Sequence, residues 1–241
     1  MLWDEIISFL PTLEKVYMTG GEPTLIESNL RFMQTCIDLG YADKLVLFFN
    51  INCTNINPKF LKLLTQFKNV IINASIDGVA ETNEYIRYPS NWKQLDKNLN
   101  LLAGLKNIEL NFSPTLTLYN VLECDNIIHY VKDLSLKHSR RIGIDYLFNS
   151  GVSVFNSTLL TVEDRAEVAE RIKLLLDDPW IKEHKLSHGS IQGLVGILTS
   201  PQDQEADVHI ADFLKITQIY DKSRNQLFAD TFPKLASILN E

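Results

Sequence analysis

The chain has 241 residues, of which 45% are hydrophobic, and a formal net charge of -7. This length and composition predict one large domain, or one domain with a small appendage, around a buried core. No lysine- or arginine-rich block stands out, so no nucleic-acid partner is indicated. The first residues lack a positively charged leader, and no apolar run could span a bilayer. A cytoplasmic protein without a membrane partner is therefore expected.

The first 150 residues alternate between short β-prone runs and longer helical patterns. Helices are expected over 2–10, 29–39, 59–67, 92–105 and 123–135. Strands are expected over 15–18, 44–49, 70–76, 108–118 and 142–148. The strands are interpreted as apolar on both faces, which is typical of a buried parallel sheet with right-handed crossovers.

The pattern changes after about residue 160. Helical periodicity is found in four segments, 162–176, 181–198, 209–227 and 232–239, and no further strand is evident. The sequence therefore predicts an α/β domain over 1–155 and a helical extension over 156–241.

A glycine-rich turn follows the first predicted strand. Gly20 and Gly21 allow a sharp turn and a close approach to a ligand, and Pro23 fixes the exit path of the chain. Glu22 places a carboxylate at the carboxyl end of that strand, where α/β proteins build their sites. The alternative interpretation is an ordinary strand-to-helix turn.

Polar residues also follow the later strands. They include Asn50, Asn52, Ser75, Asp77 and Asn149. The carboxyl ends of parallel strands share one face of a sheet, so these groups are expected to converge on one site. Neutral hydrogen-bonding groups with two acids suit a ligand that carries hydroxyls, an ammonium group and a heterocycle. Capping and turn chemistry would explain any one of them alone.

Four motifs follow one another along the chain: Gly20-Gly21-Glu22-Pro23, Asn52-Cys53-Thr54-Asn55, Ser75-Ile76-Asp77-Gly78 and Asn83-Glu84-Tyr85-Ile86-Arg87. In this order they resemble the radical S-adenosylmethionine (radical SAM) superfamily. The resemblance is closest to the branch that contains a twitch domain, covers roughly residues 1–150, and extends to the helical tail. It implies a partial (β/α)6 TIM-like barrel that lacks its first strand and carries a C-terminal helical extension. Such a barrel would have an unpaired sheet edge.

The resemblance also implies roles for matching positions in binding SAM. The turn formed by Gly20, Gly21, Glu22 and Pro23 would hold the methionine ammonium group. The carboxylate would be held by Ser75 and Arg87, as suits a guanidinium fork. The ribose or the methionyl moiety would lie near Asn52 and Asp77. Leu147 and its neighbours would flank the adenine.

The superfamily also carries a [4Fe–4S] cluster on a CxxxCxxC loop, and this chain has no such motif. Its cysteines, Cys36, Cys53 and Cys124, have no CxxC spacing and are interpreted as reduced, partly buried residues. Thiolate ligation supports the reductive chemistry of such clusters, so this chain alone is not expected to generate the 5′-deoxyadenosyl radical. In the full-length family an electron donor is a partner, and the substrate here would be a peptide or a small molecule.

Two other functions remain open at this stage. A non-catalytic module could bind SAM or a nucleotide, or could depend on a partner that completes the sheet. A hydrolytic or sugar-processing barrel would use Glu22 and Asp77 as an acid/base pair.

Overall fold

The computed structural model describes residues 2–148 and 153–239. Its seven strands, among these residues, form two sheets. The strands are β1 (Lys15–Met18), β2 (Val46–Ile51), β3 (Asn69–Ala74), β4 (Ile108–Phe112), β5 (Thr115–Leu116), β6 (Gly143–Ile144) and β7 (Leu147–Phe148). The main sheet has the order β1-β2-β3-β4-β6, and β5 pairs in parallel with β7. Asn149 lies outside the described residues.

The helices fill the intervals between strands and most of the chain after residue 160. They are α1 (Leu2–Ser8), α2 (Glu27–Asp38), α3 (Pro58–Leu64), α4 (Glu81–Ile86), α5 (Trp92–Ala103), α6 (Cys124–Lys137), α7 (Val162–Leu175), α8 (Pro179–Glu183), α9 (Lys185–Leu198), α10 (Ala206–Arg224), α11 (Phe228–Thr231) and α12 (Pro233–Leu239). None of these described helices is long and apolar enough to cross a membrane. The predicted mixed α/β fold with a parallel five-stranded sheet is confirmed.

The chain forms two compact units. Unit 1 comprises Met1–Ser75 and Gln94–Asn111, and unit 2 comprises Ile76–Lys93 and Phe112–Glu241. The division of the sequence near residue 155 into a barrel and a helical extension stays a prediction.

The sheet of unit 1 is buried on one face only. In β2 the side chains of Leu47, Phe49 and Ile51 are fully buried, whereas the alternate residues are half-buried. The register pairs Asn50 of β2 with Asn73 of β3 on the half-buried face. The expectation of strands that are apolar on both faces was therefore wrong, because the alternation of a strand places polar residues on an open face.

The first strand stands at the end of the sheet order, as the sequence predicted for an unpaired edge. It pairs with β2 in parallel, with Tyr17 opposite Phe48. The side chain of Tyr17 is 52% exposed, and its hydroxyl accepts a hydrogen bond from the Asn50 amide. β1 is thus half-exposed, unlike the central strands β2 and β3.

Unit 2 has a core of aromatic side chains. Its central rings are Tyr85 and Tyr119, and the Phe rings around them come mainly from the last three helices. The two hydroxyls are satisfied: Tyr85 donates to Asp221 at 2.7 Å, and Tyr119 shares a hydrogen bond of 2.8 Å with Thr217. This packing fixes α4, the helix that leads into Arg87.

Four elements differ from the sequence-based expectation. The predicted strand 108–118 is broken between β4 and β5, since Pro114 has no N–H to donate to a ladder. The predicted strand 142–148 is likewise divided into β6 and β7, and the predicted helix 181–198 is interrupted at His184. Helix α4 was missed because its six residues are too few to show a helical period.

Candidate functional site

The glycine turn after β1 has a backbone that only glycine adopts readily. Gly20 and Gly21 have φ angles of 87° and 57°, and a Cβ atom at either position would meet nothing within 4 Å. The requirement for glycine is therefore conformational, not steric. Both residues are exposed, and no described residue donates a hydrogen bond to their carbonyl oxygens. Two adjacent acceptors are thus open to a ligand.

The carboxylate of Glu22 is a structural connector within unit 1. Its Oε1 accepts from the hydroxyl and the N–H of Thr24, at 2.8 and 3.4 Å, and its Oε2 accepts the backbone N–H of Asn52 at 2.9 Å. Pro23 is buried at the start of the short 3-10 helix that Glu22 caps. The carboxylate therefore ties the turn after β1 to the loop after β2, and a ligand would meet the backbone of this turn more readily than its acid.

The loop after β2 is held by its own side chains. Asn52 accepts from the N–H and the hydroxyl of Thr54, at 2.9 and 2.7 Å, which closes an Asx turn. Cys53 follows with a φ of 58°, a conformation that costs free energy for a non-glycine residue. Asn98 of α5 was not singled out from the sequence, yet its buried amide donates to the carbonyls of Cys53 and Thr54 at 2.8 and 3.1 Å.

Two further polar residues of unit 1 lie at the ends of β2 and β3. The Oδ1 atom of Asn50 is buried and has no hydrogen-bond donor among the described residues. Ser75 donates its backbone N–H to Ile51 at 2.8 Å, which places it beside the end of β2. Unit 1 therefore brings together four predicted features: the glycine turn, Asn50, Asn52 and Ser75.

Asp77 and Arg87 form an ion pair within unit 2. Arg87 Nε lies 2.7 Å from Asp77 Oδ2, and the Asp77 side chain is 8% exposed. The Nε–H is not aimed at the carboxylate, so the contact is a charge pair without a directed hydrogen bond. The second oxygen, Oδ1, accepts the N–H of Thr115 at 2.8 Å. Both oxygens of Asp77 thus have protein partners, and its predicted place near the ribose stays a prediction.

Two asparagines that the sequence did not single out as site residues hold the backbone of Asp77. Asn83 accepts its N–H at 3.1 Å, and Asn120 donates to its carbonyl at 2.8 Å. Both side chains are buried. A sequence shows no periodic signal for such contacts, because the partners are 6 and 43 residues apart.

Leu147, the predicted adenine neighbour, lies in β7 of unit 2. Its side chain is 51% exposed, and its N–H donates to Pro114 at 2.8 Å. An exposed aliphatic side chain on a fixed strand could cover one face of a heterocycle. Unit 2 also has a cavity of about 690 Å³, whose lining includes Glu81, Glu123 and Asp133. None of the predicted site residues lines this cavity.

The cysteines of this chain do not fit an iron–sulfur cluster. All three are buried and form no disulfide, and burial raises the pKa of Cys36 to about 11 and that of Cys124 further. A cluster is held by several cysteine thiolates that converge on one place. The described residues also contain no group of three His, Cys, Asp or Glu side chains that could hold a metal ion. No radical step is assigned to these residues.

Slow thiol labelling is the expected result of this burial. At pH 8 a thiol with a pKa of about 11 is roughly 0.1% thiolate, against about a quarter for an ordinary cysteine. We expect Ellman's reagent to react with the folded chain at least about 100-fold more slowly than with the chain in guanidinium chloride. Fast labelling of the folded protein would contradict the structure around Cys36, Cys53 and Cys124.

Comparison with solved structures identifies the architecture. Structures of anSMEcpe, a radical SAM anaerobic sulfatase maturase, match with TM-scores of 0.52 to 0.56 at 17% identity. One is the native protein with bound AdoMet, and another also holds a Cp18Cys peptide. The chain shares a partial TIM-like α/β fold with these structures. The matches cover 72 to 77% of this chain but only 49 to 53% of anSMEcpe, so the chain spans about half the length of these structures.

No family model matches the chain, and no curated protein matches it. The similarity of this chain to known proteins is therefore a similarity of fold alone.

Proposed function

We propose that this chain binds S-adenosylmethionine and is the core of a radical SAM enzyme of the twitch-domain-containing branch. The observation that carries the proposal is the exposed glycine turn, whose carbonyl oxygens lack donors among the described residues. A methionine ammonium group supplies three N–H donors, which suits such a cluster of acceptors. The AdoMet-bound structures that share the fold support this choice of ligand.

Other atoms of unit 1 fit a ligand with hydroxyl and amine donors. The orphaned Oδ1 of Asn50 would gain a donor, which a buried acceptor otherwise lacks at a cost of about 1–3 kcal/mol. The hydroxyl of Ser75, at the end of β3, would bind the ligand's carboxylate. In this proposal Glu22, Pro23 and Asn52 act by holding the two loops in place.

In unit 2 the proposal assigns Arg87 to the binding of a ligand carboxylate. Asp77 fixes Nε of its guanidinium, and a guanidinium has further N–H donors at its terminal nitrogens. Asp77 is then a positioning residue. Leu147 would cover the adenine.

Radical generation is proposed only for an assembly that supplies a [4Fe–4S] cluster and an electron donor from outside the described residues. Iron–sulfur and metal-binding functions are therefore proposals for that assembly. The substrate would be a peptide or a small molecule, and the location is proposed to be cytoplasmic.

The alternative is a non-catalytic module that binds SAM or a nucleotide, or that depends on a partner. It is favoured by the cysteines, which do not fit a cluster. The third function, an acid/base pair of Glu22 and Asp77, is disfavoured because all four carboxylate oxygens already have protein partners.

Calorimetry with SAM tests the proposal. Because the chain offers only part of the superfamily's ligand set, we expect weak binding, with a Kd of about 0.1 to 1 mM. Arg87→Ala should weaken binding at least about tenfold, by removing a charge-assisted bond to the carboxylate. Arg31→Ala, which removes an exposed arginine of α2, should bind as the unaltered chain does. Absence of binding at about 5 mM SAM, or equal affinity in all three proteins, would refute the proposal.

A further inference from the structure

Asn98 of α5 contacts the loop that follows β2. Its side chain is buried, and its amide nitrogen donates to the carbonyls of Cys53 and Thr54 at 2.8 and 3.1 Å. We propose that Asn98 is a positioning residue for ligand binding, because it holds this loop in the conformation that receives SAM. Asn98 would not touch the ligand itself, and this role rests on the proposed function.

The orientation of the Asn98 amide is fixed from both sides. Its Oδ1 accepts from Nε2 of Gln94, one helical turn earlier, at 2.9 Å. A flipped amide would place its oxygen against the two loop carbonyls, which can only accept hydrogen bonds. The Thr54 carbonyl has no other donor among the described residues. The contact is therefore specific for an amide that presents its nitrogen to the loop.

The loop needs this support because Cys53 has an unfavourable backbone conformation. Its φ is 58°, in the left-handed region that residues other than glycine rarely adopt. Such a conformation persists only where the surrounding contacts hold it. The Asn98 amide bonds to the carbonyl of Cys53 and to that of the next residue, so it restrains the backbone on both sides of this peptide unit.

The loop is connected in turn to the glycine turn after β1. The N–H and the hydroxyl of Thr54 donate to the side chain of Asn52. The backbone N–H of Asn52 donates to Oε2 of Glu22 at 2.9 Å, and Glu22 directly follows Gly21. A continuous series of contacts thus runs from Asn98 to the turn. Loss of its first member should loosen the loop and the turn together.

Calorimetry with SAM tests this role on a matched pair of variants. Asn98→Leu keeps a branched side chain but removes both N–H donors, and it should weaken SAM binding at least about tenfold. The control is Asn107→Leu, since the Asn107 amide also donates to two main-chain carbonyls of unit 1, those of Leu64 and Phe67, at 2.8 and 2.9 Å. These carbonyls precede β3, at the opposite end of the sheet from the glycine turn, so the control should leave the affinity unchanged. Equal effects of the two variants would overturn the proposal.

A glycine at position 53 separates support of the loop from support of the whole fold. Glycine adopts a positive φ readily, so Cys53→Gly combined with Asn98→Leu should bind SAM about threefold or more tighter than Asn98→Leu alone. The same change removes a buried side chain and lowers the stability of the fold. A purely structural role of Asn98 therefore predicts no recovery of affinity, and that result would contradict the positioning role.

Amide hydrogen exchange of the ligand-free chain tests the positioning role without SAM. Asn98→Leu should speed the exchange of the N–H groups of Asn52 and Thr54 at least about tenfold, and Asn107→Leu should leave both unchanged. If Asn98→Leu does not fold, Gln94→Ala at an exposed position should speed both about threefold or more. No SAM binding by the unaltered chain would refute the proposed function and with it the ligand named here. Unchanged exchange at Asn52 and Thr54 would overturn the positioning role itself.

Discussion

Replacing Arg165 with methionine should lower the free energy of unfolding by about 3 to 5 kcal/mol. Arg165 of α7 is fully buried, and its guanidinium donates to the carbonyls of Thr161, Ile197 and Ser200 at 3.2, 2.6 and 2.7 Å. Two of these carbonyls lie at the end of α9, where helix carbonyls have no partner within the helix. Methionine keeps much of the volume but removes three charge-assisted hydrogen bonds. The Ser200 carbonyl then loses its donor, whereas the carbonyls of Thr161 and Ile197 keep backbone or hydroxyl donors.

Urea unfolding followed by circular dichroism measures this effect. Arg165→Lys should recover only part of the loss, because one ammonium group cannot reproduce the geometry of the guanidinium fork. Arg31→Met serves as the matched control, since Arg31 is exposed, and should change stability by less than about 0.5 kcal/mol. Equal effects at positions 165 and 31 would show that the buried arginine does not join α7 to the end of α9.

Replacing Asp77 with alanine should cost about 3 to 4 kcal/mol. The change leaves Arg87 partly buried without its partner, and it removes the acceptor of the Thr115 N–H. Asp77→Asn should cost less, because its side-chain oxygen can still accept from Thr115.

The control is the exposed ion pair between Lys59 and Glu27, which has the same 2.7 Å separation. Glu27→Ala should cost far less than Asp77→Ala, because water screens an exposed pair. Urea unfolding of Asp77→Ala, Asp77→Asn and Glu27→Ala ranks the three variants by their loss in free energy of unfolding. A loss at Asp77 no larger than that at Glu27 would mean that Asp77 does not hold Arg87 and Thr115 in place.

Much of the fold could be predicted from local patterns. The apolar runs gave the main strands to within a few residues, and Pro58 and Gly40 marked a helix start and a helix end. The sharp turn at Gly20 and Gly21 was also predicted, and the positive φ angles of both residues confirm it. These features depend on neighbouring residues, which a sequence displays directly.

The contacts that organise the site could not be predicted in this way. Glu22 reaches Asn52, and Asn98 reaches Cys53, across 30 and 45 residues. Arg165 is buried although arginine is usually exposed, because its acceptors come from residues 32 and 35 positions away. A periodic pattern contains no information about such pairs. For the same reason, the sequence could not reveal that both carboxylate oxygens of Asp77 already contact protein groups.

The central claim is that the turn after β1 binds the ammonium group of SAM. An amide-resolved NMR titration of the folded chain with SAM tests it most directly. We predict that the N–H signals of Gly20, Gly21 and Asn52 shift with one common Kd of about 0.1 to 1 mM, and that those of α2 do not. Shifts confined to other parts of the chain, or none at about 5 mM SAM, would contradict it.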